Sequence, residues 1–225
     1  MELQNYRIAY IFPSRARPYK FYQCLDNIRE MSNSDNYFIW AKLDDDCKEV
    51  EKYKMGLHLY PEVTVKWGLS RNKIHSINRD CEDLPPFDII IIMSDDQVFE
   101  VKGFDDKIRE AYRKYFPQLD GAVHFQDSHA LSRTITLSIM GVNLYKKIGY
   151  LYNSEYISLY ADNEFTDVVR MMNKYILMKD RIHDHYHPIW KMANWDSQYR
   201  ASEAKELYAQ DRETYLRRKA KNFDL

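Results

Sequence analysis

Residues 87–96 read Phe87-Asp88-Ile89-Ile90-Ile91-Ile92-Met93-Ser94-Asp95-Asp96, an apolar run that stops at two carboxylates. A continuous apolar stretch from Asp88 to Met93 predicts a parallel strand buried on both faces, not a strand with one wet side. Carboxylates directly after such a strand must be paired, solvated or metal-bound, because an unpaired buried charge is costly. Read alone, Ser94-Asp95-Asp96 is equally the pattern of a turn or a helix N-cap. Its meaning depends on the surrounding sequence.

Upstream, Arg7–Phe12 reads as a first strand stopped by Pro13. Pro18 then opens a helix that carries Phe21, Leu25 and Ile28 at helical spacing. Tyr37–Leu43 is a second strand, ending in Asp44-Asp45-Asp46. A helix over residues 47–56, a short strand Val63–Lys66 and a helix Ser70–Asp80 with Ile74 and Ile77 inward follow. Downstream, Phe104–Phe116 places Phe104, Ile108, Ala111, Tyr112 and Tyr115 on one helical face. This alternation of strand and helix predicts an α/β domain with a mostly parallel sheet flanked by helices. After Pro117 the pattern changes. Strands are expected at Ala122–Phe125 and Thr134–Met140, a helix at Asn163–Tyr175 and a short strand at Ile176–Met178. Residues 196–225 are charged and helical in pattern.

The chain has 225 residues, enough for one core plus a tail. Its 19 Tyr and 10 Phe exclude a solvated, disordered chain. With 33 basic against 34 acidic residues, the net charge of -1 gives no general attraction to nucleic acid. Cys24, Cys47 and Cys81 lack metal-type spacing and read as reduced thiols of a cytoplasmic protein. The run Ile89–Met93 is far too short to span a bilayer, and no signal-type segment opens the chain. The expectation is a cytoplasmic protein of a bacterium or a virus-infected cell, with no membrane span.

Functional residues of an open α/β sheet collect at the carboxyl ends of its strands. Pro13-Ser14-Arg15, Asp44-Asp45-Asp46 and Ser94-Asp95-Asp96 all fall there. Far downstream, His183-Asp184-His185-Tyr186-His187 spaces three histidines so that an extended segment projects them to one side. Carboxylate and imidazole together suit a hard divalent ion, Mn²⁺ ahead of Mg²⁺, and also Zn²⁺. A surface loop with ordinary histidines would show the same pattern.

Four segments, in order over residues 5–190, resemble the inverting GT-A glycosyltransferases related to family two. They are Pro13-Ser14-Arg15-Ala16-Arg17-Pro18, Gly68-Leu69-Ser70-Arg71-Asn72-Lys73-Ile74, Phe87–Asp96, and Tyr160-Ala161-Asp162-Asn163-Glu164-Phe165 with the histidine cluster after it. The resemblance implies a GT-A, Rossmann-like sheet. It divides the chain into a donor half (1–117), an acceptor and catalytic half (118–195) and a C-terminal helical extension (196–225). It also implies a nucleotide-sugar donor and a DxD-like metal motif at Ser94-Asp95-Asp96, with Ser replacing the usual first Asp. Asp96 would bind the cation and Asp95 would sit near the ribose or the metal. His185 or His187 would complete the metal shell. One of Asp44, Asp45 and Asp46 would take a nucleobase N–H, which favours uridine. Pro13, Ser14, Arg15, Gly68 and Lys73 would line the nucleotide and its phosphates. Asp162 matches the catalytic base of a hexosyl- or pentosyltransferase, with Glu164 second. A helix cap is the plain alternative for Asp162.

Two other functions share these features. A nucleotidyltransferase has a similar sheet, but usually a Gly-rich loop after the first strand, which this chain lacks. A non-catalytic nucleotide-sugar or glycan-binding protein would not need Asp162. The acceptor stays open between glycan, lipid-linked sugar and modified DNA base. Trp67, Trp190 and Trp195 are candidate stacking rings or ordinary packing. The loop Gln126-Asp127-Ser128-His129-Ala130 is a candidate acceptor contact or lid. The basic run Arg217–Lys221 reads as a phosphate contact or as a solvated helix end favoured by the macrodipole.

Overall fold

The computed structural model describes residues 5–128 and 133–225. Its central sheet has seven strands in the order β3-β2-β1-β4-β7-β6-β8. These are β1 (Ile8–Ser14), β2 (Tyr37–Asp44), β3 (Val63–Gly68), β4 (Ile89–Ile92), β6 (Ala122–Gln126), β7 (Ser138–Gly141) and β8 (Tyr175–Arg181). β7 alone runs against its neighbours, antiparallel to both β4 and β6. The remaining pairings are parallel. A second, two-stranded sheet joins β5 (Gln97–Phe99) to β9 (His183–His185).

The isoleucine run behaves as its composition requires. Ile89 and Ile91 belong to one apolar cluster and Ile90 and Ile92 to the other, so β4 is covered on both faces. The first cluster includes Phe21, Leu25 and Ile28 of α1 (Pro18–Met31) and Phe104, Ile108 and Tyr112 of α4 (Phe104–Tyr115). The second includes Ile74 and Ile77 of α3 (Lys73–Asn78), Leu144 of α5 (Val142–Ile148) and Phe165 and Val169 of α6 (Ala161–Met171). Helices therefore cover both sides of the sheet, as the strand-helix alternation predicts. α2 (Val50–Gly56) follows the acidic run after β2. α7 (Ser197–Ser202) and α8 (Lys205–Lys219) form the C-terminal segment.

Several boundaries differ from the sequence expectation. β7 covers only the last part of the expected 134–140 strand, and its end at Gly141 passes so close to the Leu119 carbonyl that a Cβ has no room. α5 follows at once, a helix that its short length hides from periodicity. α6 begins at Ala161, two residues early, and ends at Met171, so Asp162 lies inside its first turn and does not cap it. The capping position is Tyr160, held at φ 62°. β8 extends to Arg181, beyond the expected Met178.

Candidate functional site

The strand order reverses between β1 and β4: from β1 the chain steps outward to β2 and β3, then returns to pair β4 on the other side of β1. A crevice opens at the carboxyl ends of strands at such a switch point. Ser14 at the end of β1 and Asp95 just after β4 meet there, the Ser14 hydroxyl donating to Asp95 Oδ2 at 3.0 Å. The Tyr53 hydroxyl lies 2.9 Å from Ser14 Oγ and accepts the Arg17 backbone N–H at 3.0 Å. Tyr53 therefore donates to Ser14, which donates to Asp95. Arg17 Nη1 adds a 2.8 Å ion pair to Asp95 Oδ1. Burial pushes the Asp95 pKa up and the neighbouring Asp96 charge adds to that; Arg17 and Ser14 pull it back in part.

The loop after β1 supplies a second guanidinium. Ala16 sits at φ 58°, and the reversal sends Arg15 and Arg17 to different partners. Arg15 Nη1 reaches Asp44 Oδ2 and Asp46 Oδ1, each at 2.6 Å, while Nη2 reaches Asp46 Oδ2 at 3.0 Å. Asp44 is 5% exposed, and its Oδ1 is a buried acceptor with no hydrogen-bond partner among the described residues. Asp45 points to solvent, and its backbone N–H donates to the Gly68 carbonyl at 3.2 Å. At Gly68 a Cβ would lie 3.1 Å from Arg79 Nη1, so the end of β3 stays close to that guanidinium. Pro13 is half-buried within β1. The expected donor-side residues thus line one edge of the crevice, with Asp44 the acid whose free oxygen is buried.

Asp96 is the meeting point of three chain segments. β5 begins immediately after it and pairs antiparallel with β9, setting Gln97 opposite His185. That register brings His185 Nε2 within 3.3 Å of Asp96 Oδ2. Ser94 Oγ donates to Asp96 Oδ1, and the Tyr199 hydroxyl donates to Asp96 Oδ2 at 3.0 Å. Burial opposes the Asp96 charge, but His185, Ser94 and Lys73 outweigh it and hold its pKa far below the ordinary range. Burial likewise opposes the His185 cation, and Asp96 reverses that, raising the imidazole pKa. Lys73, exposed at the start of α3, contributes positive charge to Asp96, Asp162 and His185 alike.

The three histidines have different fates. His183, fully buried opposite Phe99, has no hydrogen-bond partner for either ring nitrogen among the described residues. His187 lies beyond β9, where its Nδ1 accepts the Ile189 backbone N–H at 3.3 Å. Burial lowers the His187 pKa to about 4, so the ring is neutral at pH 7 and carries its proton on Nε2. That nitrogen faces Glu203 Oε1 at 3.7 Å. His185 is thus the histidine whose ring meets Asp96.

Asp162 is half-buried, and its Oδ1 accepts the Asn163 N–H at 2.9 Å. Burial raises its pKa, while Lys73, local N–H groups and His185 pull in the opposite direction without cancelling it. The sequence alone suggests the reverse, a carboxylate held low by the helix N-terminus; desolvation wins. Glu164, two residues on, is rotated by about 200° around the helix. It is 2% exposed and receives Arg218 through two hydrogen bonds of 2.7 and 3.0 Å, plus the Tyr156 hydroxyl at 2.8 Å. It packs into the fold and is not brought to the Asp96 cluster.

Tyr53, Asp196, Tyr199 and Glu203 join the site without a sequence signal of their own, and Arg17, part of the 13–18 segment but given no role there, joins with them. Arg17 pairs with Asp196 through two hydrogen bonds of 2.9 and 2.6 Å and lies 3.8 Å from the Tyr199 ring centre. Three of the four cations in the basic run of the tail are paired: Arg217 with Glu155, Arg218 with Glu155, Glu164 and Asp224, and Lys219 with Asp167. Trp67 packs against the core, whereas Trp190 and Trp195 are each close to half-exposed. In the 126–130 loop, Ser128 Oγ donates to Asp184 at 2.6 Å, and His129 and Ala130 lie outside the described residues.

No cluster of three or more His, Cys, Asp or Glu side chains among the described residues could by itself hold a metal ion. Asp96 and His185 supply two donors. A hard divalent ion in a nucleotide site commonly takes one or two protein groups and completes its shell with phosphate oxygens and water. The pair fits that requirement. Among the described residues no helix is long and apolar enough to cross a membrane.

No family model and no curated protein matches this sequence. Solved structures do match. The mannosyltransferase PcManGT from Pyrobaculum calidifontis, in complex with GDP-Man and Mn²⁺, superimposes with a TM-score of 0.66 at 16% identity. The match covers 80% of this chain and 57% of that one. S. aureus TarS 1-349 in complex with UDP-GlcNAc superimposes with a TM-score of 0.63 at 10% identity, covering 79% of this chain and 58% of that one. The chain therefore spans less than two thirds of either structure. At these identities the likeness establishes the fold, and the fold is GT-A.

Proposed function

We propose that this chain is a metal-dependent glycosyltransferase that moves a sugar from a nucleoside-diphosphate donor to a hydroxyl acceptor with inversion. The observation that carries the reading is the meeting of Asp96 and His185 at 3.3 Å at the switch point of a GT-A sheet; Asp162 is near enough to feel the charges of both Lys73 and His185. Two structural neighbours, one with GDP-Man and Mn²⁺ and one with UDP-GlcNAc, are nucleotide-sugar proteins of the same fold.

In this proposal Ser94-Asp95-Asp96 serves as the DxD-like motif. Asp96 and His185 would hold a divalent cation, Mn²⁺ ahead of Mg²⁺, while His187 turns to Glu203. The cation's chemistry is to neutralise the departing diphosphate, so that no acid is needed there. Asp95, fixed by Ser14 and Arg17, faces the donor ribose. Asp44 Oδ1 accepts a nucleobase N–H, and a uridine donor is preferred because its N3–H suits a single carboxylate oxygen. Arg15, Gly68 and Pro13 border the nucleotide, and Lys73 offsets phosphate charge.

Asp162 takes the proton of the acceptor hydroxyl as that oxygen bonds to the anomeric carbon. The bond from that carbon to the diphosphate oxygen breaks on the opposite face, and its electron pair leaves with the diphosphate. A carboxylate with a raised pKa is the better base for this step. Residues 1–117 act as the donor half and 118–195 as the acceptor half. Residues 196–225 are an extension that reaches back to the site through Asp196, Tyr199 and Glu203. Work in the cytoplasm is consistent with the unpaired cysteines.

The test is a thermal-shift and hydrolysis screen of UDP-, GDP- and TDP-sugars with and without Mn²⁺. A bound donor raises the melting temperature. UDP-sugars are expected to shift it in a Mn²⁺-dependent way and to be hydrolysed slowly. Failure of every nucleotide sugar to bind with Mn²⁺ removes the proposal.

A further inference from the structure

The segment after the histidine cluster raises an apolar rim beside His187, whose ring lies 5.3 Å from that of His185. Trp195 is 45% exposed, its ring 6.1 Å from His187 and 6.3 Å from Tyr199, nearly perpendicular to both. Ile189 and Trp190 stand on the short turn that follows His187, also exposed. Across His187 from Trp195 lies Glu203, half-buried at the C-terminal end of α7. Glu203 Oε1 stands 3.7 Å from His187 Nε2, too far for a hydrogen bond, so its acceptor capacity is open to a ligand. Its electrostatic neighbours are Lys73, Asp162, His185 and Asp96, the residues of the reacting centre.

We propose that Trp195 and Glu203 form an acceptor subsite for a pyranose ring, Trp195 stacking on its apolar face and Glu203 accepting a hydrogen bond from a hydroxyl next to the one that Asp162 deprotonates. The inference rests on the glycosyl-transfer reading. It names the acceptor as a sugar and not a lone hydroxymethyl group.

The chemistry of the rim selects that occupant. A pyranose combines a face of C–H groups with a girdle of hydroxyl donors. An exposed indole matches the first and a carboxylate acceptor the second. Anionic acceptors are disfavoured by the carboxylates of Asp162 and Glu203. A nucleic acid needs cations along its phosphates, and the basic run of α8 is already paired with Glu155, Glu164, Asp167 and Asp224. A hydroxymethyl group on a base offers only one hydroxyl, which Asp162 would occupy, leaving Glu203 without a partner.

Calorimetric titration of UDP, GDP and TDP with Mn²⁺ comes first, because it tests the underlying reading alone. With the tightest-binding of these and Mn²⁺ saturating, saturation-transfer NMR then probes methyl α- and β-glycosides of glucose, galactose and mannose. At least one glycoside is expected to bind, with saturation concentrated on the C–H groups of one ring face. Trp195→Ala and Glu203→Gln should each weaken it by about tenfold or more, with Glu203→Asp recovering part of the loss. Both side chains are at least partly solvent-facing, so the variants should fold, and circular dichroism checks this. The inference is overturned if no glycoside binds, if both variants bind it as the unaltered chain does, or if a hydroxymethylcytosine duplex binds more tightly than every glycoside. Absence of binding by UDP, GDP and TDP alike overturns the glycosyl-transfer reading and this inference with it.

Discussion

The Tyr199 hydroxyl donates to Asp96 Oδ2 at 3.0 Å, joining residues 103 positions apart. Through it the C-terminal segment touches a carboxylate whose pKa is held low, despite its burial, by His185, Ser94 and Lys73. Arg17 reinforces the link, stacked on the Tyr199 ring while pairing with Asp95 and Asp196. A hydrogen bond to a buried carboxylate contributes about 1.5–3 kcal/mol. Tyr199→Phe keeps the ring over Arg17 and removes only this bond. The urea midpoint should fall by an amount matching that range, with circular dichroism unchanged; an unaltered midpoint means the bond is not made in solution.

Asp96→Ala should abolish Mn²⁺-dependent binding of a UDP-sugar while the protein stays folded. The carboxylate is surrounded by His185, Ser94 and Tyr199, not by apolar packing, so its removal opens no hydrophobic cavity. Isothermal titration with UDP and Mn²⁺ reads the result directly. Retained metal-dependent affinity would contradict the assignment.

Asp162 and Glu164 should separate cleanly into chemistry and stability. Asp162→Asn is expected to lower turnover by roughly 10²–10⁴-fold while the donor still binds. Glu164→Gln leaves the buried Arg218 guanidinium short of a charge and should cost about 3 kcal/mol of stability, moderated by Glu155 and Asp224. Single-turnover kinetics and denaturant unfolding on both variants decide. The opposite pattern would make Glu164 the base.

Nucleotide preference follows from the buried, unpartnered Asp44 Oδ1. It accepts the N3–H of uracil, whereas cytosine presents a lone pair at that position. UDP should bind about 10-fold or more tighter than CDP, the size of a charge-assisted hydrogen bond. Asp44→Asn should narrow that gap. A competition titration in which GDP or CDP displaces the donor better than UDP would overturn the uridine preference.

Acid should destabilise the fold through His124. Its ring is 1% exposed, Nδ1 lies 2.9 Å from the Tyr175 hydroxyl, and burial depresses its pKa from 6.5 to about 4. Because the folded pKa is the lower one, the unfolded chain binds more protons between these values. The contribution is complete above about pH 6.5, fades as pH falls and is gone below about pH 4, amounting to about 3 kcal/mol at most. His124→Gln should therefore lose less stability between pH 7 and pH 4.5 than the unaltered chain, measured by urea unfolding. Equal losses exclude His124 as the sensor.

The sequence by itself determined the sheet. The run Ile89–Ile92 is apolar at every position, so both faces of that strand had to be covered. The alternation of strands with amphipathic helices up to Phe116 then dictated a parallel, doubly covered architecture. It also marked the ends of β1, β2 and β4 as the polar rim, because consecutive carboxylates are too costly to bury inside a strand covered on both faces. Short-range pattern extends no further than one element. Which histidine meets Asp96 was decided by the register of β5 against β9, and β5 is a three-residue strand with no periodicity to read. Asp162 and Glu164 look alike in sequence, yet a 200° rotation on α6 sends one toward the crevice and the other to Arg218. Tyr199 and Glu203 sit in a charged tail whose own spacing predicts only a solvated helix. Tyr199 became part of the site because Asp96, distant in the chain, required a partner once buried, as Arg17 did with Asp196, and Glu203 follows at the end of the same short helix.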